Sequence, residues 1–155
     1  MSLIEVVKKY QNKILDDGIL VEYDLFFNED AENGCIFAID EYDKLKELDN
    51  VILKIRESDK DAEIYVNTYD IDFSKERIVI YADTIWINTV NTIEEIYSFF
   101  RNFREIEPAD IVLLSEDETI DGPVALAVST EYKVEDYESF IEKRKLSEIK
   151  SLYWD

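Results

Sequence analysis

The spacing of apolar residues changes several times along the chain, and each change predicts an element. Leu3, Val7, Tyr10 and Ile14 recur at helical spacing, with Gly18 as the expected stop. ILVEYDLFF (19–27) and CIFAI (35–39) read as strands on either side of the turn-rich NEDAENG, a hairpin signal. Helical spacing returns at Tyr42, Leu45, Leu48, Ile52 and Ile55, although VILKI (51–55) fits a strand as well. AEIYVNTY (62–69) and RIVIYADTIWINT (77–89) predict a second strand pair joined by DIDFSKER.

NTIEEIYSFFRNF is the best-defined helix. Thr92 and Glu95 form a T-x-x-E capping box, and Ile93, Ile96, Tyr97, Phe100 and Phe103 supply its apolar stripe. DIVLLS (110–115) and VALAVST (124–130) predict a third strand pair across EDETIDGP. A closing helix is expected to carry Val134, Tyr137, Phe140, Ile141 and Ile149 on its core face. Strand pairs separated by helices predict an α+β domain over residues 1–155. Its sheet should be largely antiparallel, with about six strands and three to four helices mostly on one face.

Within RIVIYADTIWINT both faces are apolar, which predicts a central strand, yet Asp83 interrupts it. A lone carboxylate buried in a sheet costs several kcal/mol unless it is hydrogen-bonded or neutralised. The expectation is therefore a bulge or corner at ADT, or a strand that runs past the sheet into solvent. On this reading Asp83 is chiefly structural, and Asp83→Asn should mainly lower stability.

Composition adds a strong electrostatic constraint. The 155 residues hold 37 acids and 17 bases, a net charge of −20, while 46% hydrophobic content argues for a folded core. The acid lies in two blocks: residues 16–72 carry 18 acids against 5 bases, and residues 105–142 carry 12 against 1. Such a field repels nucleic acid and anionic membranes and attracts cations or basic proteins. Cys35 is the single cysteine, so no disulfide can form within the chain. There is no apolar run of membrane-spanning length and no signal-peptide pattern at the N-terminus, so a cytoplasmic protein is expected.

Catalytic chemistry is poorly represented. Histidine is absent, which removes Ser–His–Asp and Cys–His systems, and three glycines leave no phosphate-binding loop. DETIDG (117–122) imitates the start of an EF-hand, but Val128 stands where the bidentate Glu is required. NEDAENG places its glycine one residue late, so both segments read as turns. No metal or other cofactor is implied.

The more suggestive pattern is tyrosine set among acids. It gives candidate partner-binding residues Tyr23, Asp24, Tyr42, Asp43, Tyr69 and Asp70, with Asp83 and Trp86 from the central strand. Glu116, Asp117 and Glu118 come from the second acidic block, and Tyr153 and Trp154 from the C-terminal LYWD. Such residues also arise wherever an amphipathic element turns its aromatic side in and its acid out. Tyrosine and tryptophan nonetheless dominate interface hot spots, and complementary charge steers association. The expected function is a small acidic binding protein that occludes a basic partner without catalysis, in the manner of a bacterial immunity protein or antitoxin against a nuclease toxin. The alternatives are a structural or regulatory domain whose acidity serves solubility, and a divalent-metal enzyme using clustered carboxylates.

Overall fold

A computed structural model describes residues 1–28, 34–74, 76–116 and 124–155. The N-terminal apolar spacing folds as α1 (Leu3–Lys9), capped by the Ser2 hydroxyl, followed by the short α2 (Gln11–Ile14). The helical run ends at Leu15, whose φ of 50° leaves the helical region. Gly18 instead opens β1 (Gly18–Glu22). A Cβ there would lie 2.0 Å from the Thr68 carbonyl oxygen, so only glycine allows this approach of two strands.

After β1 the chain makes a helical turn, α3 (Tyr23–Phe26), and then β2 (Cys35–Phe37) and α4 (Tyr42–Ser58). The long antiparallel pair β3 (Glu63–Asp72) and β4 (Val79–Asn88) precedes α5 (Ile93–Phe99). Then come β5 (Asp110–Leu113), β6 (Val124–Val128), β7 (Val134–Asp136), α6 (Tyr137–Glu142) and β8 (Ile149–Tyr153). The described residues thus form an α+β fold around one mixed, mostly antiparallel sheet of eight strands, more than the six expected. Its order is β5-β8-β4-β3-β1-β6-β7, with β2 lying beside β4.

The strand with two apolar faces, β4, is central as its pattern predicts. One sheet face packs against α1, α4 and α5 through Val7, Leu48, Ile52, Ile55, Ile96 and Phe100. A smaller cluster on the other face joins Leu20 and Trp86 to Leu114 and to Phe140 of α6. The T-x-x-E box forms as expected: the Glu95 N–H donates to the Thr92 hydroxyl and the Thr92 N–H to the Glu95 carboxylate, each at 3.1 Å. The stretch VILKI lies within α4 and is helical.

Four features differ from expectation. ILVEYDLFF is not one strand, because Tyr23, Leu25 and Phe26 all enter the core while Asp24 stays out, a pattern that a helical turn satisfies and strand alternation cannot. No hairpin joins it to CIFAI: β1 pairs with β3 and β6, and β2 runs parallel to β4. Likewise β5 and β6 do not pair with each other, since β8 takes the side of β5 and β6 runs parallel to β1. The closing helix is short, and the chain ends in β8, which inserts between β4 and β5. Its Lys150 disguises the strand in sequence yet is 4% exposed, its ammonium donating to the carbonyls of Thr89 at 2.7 Å and Glu148 at 3.2 Å. Burial lowers the pKa of this ammonium against the pull of Glu148, Glu95 and Asp59.

Candidate functional site

The expected irregularity at ADT is present, and it is matched by a second one on the neighbouring strand. Asn67 pairs with Thr84 and Thr68 with Ala82, so Asp83 is left over on β4. Asp70 then pairs with Tyr81, so Tyr69 is left over on β3. The alternation of buried residues confirms the slip. Ile80 and Ala82 face the main core before it, and Ile85 and Ile87 after it. An uninterrupted strand would place Asp83 on the face of Ile85 and Ile87. The bulge separates it from them and leaves it half-buried beside Thr84, whose hydroxyl donates to Oδ1 at 2.8 Å.

The backbone records the same event. The carbonyls of Ala82 and Asp83 both point to the edge of β4 away from β3, where the first accepts from the Ala38 N–H and the second from the Trp154 N–H, each at 2.9 Å. Asp83 therefore stands where the edge of β4 passes from β2 to β8. On the other side Thr68 holds β1: its hydroxyl accepts from the Ile19 N–H at 2.8 Å and donates to the Ile19 carbonyl at 3.0 Å.

Around this junction lies an open cleft in three parts. The largest, about 670 Å³, is lined by Tyr69, Asp83, Tyr153, Asp110 and Glu116 together with the apolar side of β5. A second, about 300 Å³, shares Tyr69, Asp83 and Tyr153 with it and adds Tyr81 and Asp155. A third, about 370 Å³, continues past Trp154 to Asp40, Glu41, Glu105 and Glu107. Among the described residues that line these parts the single base is Lys44, which lies 3.6 Å from Glu41. Burial and then the negative charge of Asp83 raise the Tyr69 phenol pKa, ahead of the smaller influence of Asp70. Tyr97 is raised in the same way beside Asp110 and Glu107, and its hydroxyl takes a hydrogen bond from the Ile111 N–H.

Of the residues singled out in the sequence, the fold brings Tyr69, Asp83, Glu116 and Tyr153 together in the largest part of the cleft, with exposed Asp70 paired to Tyr81 nearby. Three aromatic candidates are core residues, although Trp154 also lines the second and third parts of the cleft. Tyr23 is 4% exposed and donates to the Asp49 carboxylate, an arrangement that drives its pKa far up through burial first and Asp49 second. Trp86 is buried in the smaller cluster against Tyr137. Trp154 is buried against Phe37 and Phe100, with its indole N–H donating to the Ile106 carbonyl at 2.7 Å. Asp24 forms a two-pronged pair with Arg56, at 3.0 and 3.2 Å. Tyr42 and Asp43 are exposed at the start of α4, outside the cleft, with the Lys46 ammonium 4.9 Å from the centre of the Tyr42 ring. Asp117 and Glu118, like the whole of DETIDG, lie outside the described residues.

Sequence reasoning missed Tyr81, Asp110, Glu105 and Glu107. Tyr81 looked like one more apolar residue of a central strand, and the bulge that turns its face outward leaves only the Asp as a trace. Asp110 had a usable signal as the single carboxylate opening an apolar strand. Cys35 is half-buried, and burial pushes its thiol pKa up to about 12, which leaves it a weak nucleophile. Among the described residues no three carboxylates or thiols converge as metal ligands, and no helix is long and apolar enough to cross a membrane.

Comparison with curated proteins and with solved structures finds no match. A family match covers residues 2–134, from the N-cap of α1 to the first residue of β7, and so includes both bulges and β5. By that match the chain belongs to the uncharacterized protein YfbO family.

Proposed function

We propose that this is an acidic cytoplasmic binding protein whose cleft receives a basic protein, and that it acts by occlusion, as an immunity or antitoxin-type inhibitor of a toxin such as a nuclease. One observation carries the reading. The cleft joins exposed tyrosines to carboxylates drawn from β4, β5 and the segments around them, while among the described residues of its lining there is a single base. In a basic partner, the carboxylates take the place of the phosphates that a cationic active site contacts, and the tyrosines supply rigid contact area. Long-range attraction by a net charge of −20 speeds the encounter, and the half-buried contacts set the lifetime of the complex.

Affinity capture from native lysate tests this. At about 0.05 M salt the protein should retain a strongly basic protein that elutes as the salt rises to about 0.5 M. If that partner cleaves nucleic acid, stoichiometric addition of the acidic protein should abolish cleavage. Recovery of no basic protein, or of one held equally at both salt concentrations, overturns the proposal.

A further inference from the structure

We propose that the largest part of the cleft holds a slot for one lysine ammonium of the basic partner, with Asp110, Glu116 and the Ser151 hydroxyl as its three acceptors. This rests on the partner class proposed above and adds the group recognised and the residues that hold it. All three line that part of the cleft. Ser151 is the unusual member. It is 9% exposed, yet its hydroxyl makes no hydrogen bond among the described residues. A buried hydroxyl is costly without a partner, so one kept at the floor of a cleft marks a place for a ligand atom.

The sheet register fixes where Ser151 points. It stands opposite Val112 on β5 and Trp86 on β4, and Trp86 belongs to the smaller cluster, so the Ser151 side chain lies on that face of the sheet. Asp110 is the next residue of β5 on the same face, opposite Tyr153. Asp110 and Ser151 are therefore diagonal neighbours across β5 and β8, with Cβ atoms about 7 Å apart. A cation about 2.8 Å from an oxygen of each bridges that gap. Glu116 ends the 3-10 turn that follows β5 and adds a second carboxylate to the same space. Both acids are exposed, and neither forms an ion pair or accepts a side-chain hydrogen bond among the described residues.

Three acceptors on separate elements suit an ammonium, whose three donors point in different directions. The buried Lys150 behaves in this way, dividing its ammonium between the carbonyls of Thr89 and Glu148. A guanidinium is planar and pairs best with both oxygens of one carboxylate. Arg56 grips Asp24 so, and Arg144 grips Glu63. Half-buried Val112, opposite Ser151, gives the methylene stem of the inserted lysine an apolar wall.

Three glycine–serine nonapeptides with blocked ends, each carrying one central lysine, arginine or Nε-acetyllysine, test the slot. They are titrated into the full chain at about 0.05 M salt and followed by NMR. The lysine peptide should bind about fivefold more tightly than the arginine peptide. Acetylation, which removes the charge, should weaken binding at least about tenfold. Ser151→Ala should weaken the lysine peptide about fivefold and cancel its advantage over arginine, with the melting temperature unchanged. Asp110→Asn and Glu116→Gln should each weaken it about tenfold. Asp43→Asn removes the same charge from exposed α4, outside the cleft, and should leave binding unchanged. Equal binding of the lysine and arginine peptides overturns the slot. So does binding unaffected by Ser151→Ala, or an Asp43→Asn variant as impaired as Asp110→Asn. Each of these results leaves the wider proposal standing, because that proposal fails only when capture yields no salt-sensitive basic partner.

Discussion

Thr68 gives the sharpest test of how the site is built. Its side chain is 1% exposed, and its hydroxyl replaces part of the strand ladder by serving both the N–H and the carbonyl of Ile19. Thr68→Val keeps the shape and removes both bonds. The Ile19 N–H and carbonyl are then left in a fully buried position, and each buried polar group without a partner costs about 1–3 kcal/mol. The carbonyl keeps some alternatives through its second lone pair, so the total should be about 3 kcal/mol. Thr68→Ser keeps the hydroxyl and loses one methyl group, at about 1 kcal/mol. Urea denaturation should show the valine variant less stable than the serine variant by about 2 kcal/mol at an unchanged slope. In thermal melts that difference corresponds to about 4–8 °C for a chain of this length. A valine variant as stable as the serine variant would refute the reasoning, since the hydroxyl would then carry no weight at the bulge.

Gly18→Ala should lower stability by about 1–3 kcal/mol, read as a fall in melting temperature, because its Cβ meets the backbone oxygen of Thr68 rather than a side chain that can move aside. In acid, Asp59 and Glu63 set one limb of the stability curve. Hydrogen bonds from Thr89, Val90 and Asp61 hold Asp59 below its ordinary 3.8. Burial raises Glu63, but Arg144 and Asn88 outweigh it and bring it below 4.5. A carboxylate with a lowered folded pKa stabilises above its unfolded value, so stability should fall as pH drops below about 4.5, and Asp59→Asn should flatten that limb in pH-dependent melts. In alkali the sign reverses. Burial, followed by Glu22, raises Tyr65 from 10.0 to about 12, and burial raises Cys35 from 9.0 to about 12. Their stabilisation is intact below pH 9 and should be lost as pH climbs from there towards 12, with Cys35→Ala moving the onset up to Tyr65's range near pH 10.

Local signals in the sequence read well wherever local chemistry decides. The Thr92–Glu95 box, the long helix through Ile52 and Ile55, and the β3–β4 hairpin all follow from periods and caps that tertiary contacts reinforce. Pairing between distant segments was less legible. Nothing local in VALAV distinguishes a parallel neighbour such as β1 from an antiparallel one such as β5, because either buries the same valines and leucine. The final strand was hidden by Lys150, whose stem packs in the sheet while its ammonium finds backbone carbonyls, so a buried residue carried a surface residue's letter. At the site, Asp83 alone betrayed the bulge. Its partner at Tyr69 was invisible, since an exposed tyrosine at the end of a strand needs no irregularity to explain it. Burial also sorted Tyr23, Trp86 and Trp154 from Tyr69 and Tyr153, a distinction that residue type alone cannot make.

The central claim is that the bulge cleft is the surface on which a basic protein docks. Zero-length carbodiimide cross-linking of the captured complex, followed by peptide mapping, addresses it directly, because the reagent joins a carboxylate only to an amine in direct contact. Cross-links from Asp83, Asp110 and Glu116 to lysines of the basic partner, suppressed at about 0.5 M salt, are the predicted result. Cross-links confined to carboxylates elsewhere, such as Asp43 and Glu47 of α4, with the cleft unreacted, would contradict it.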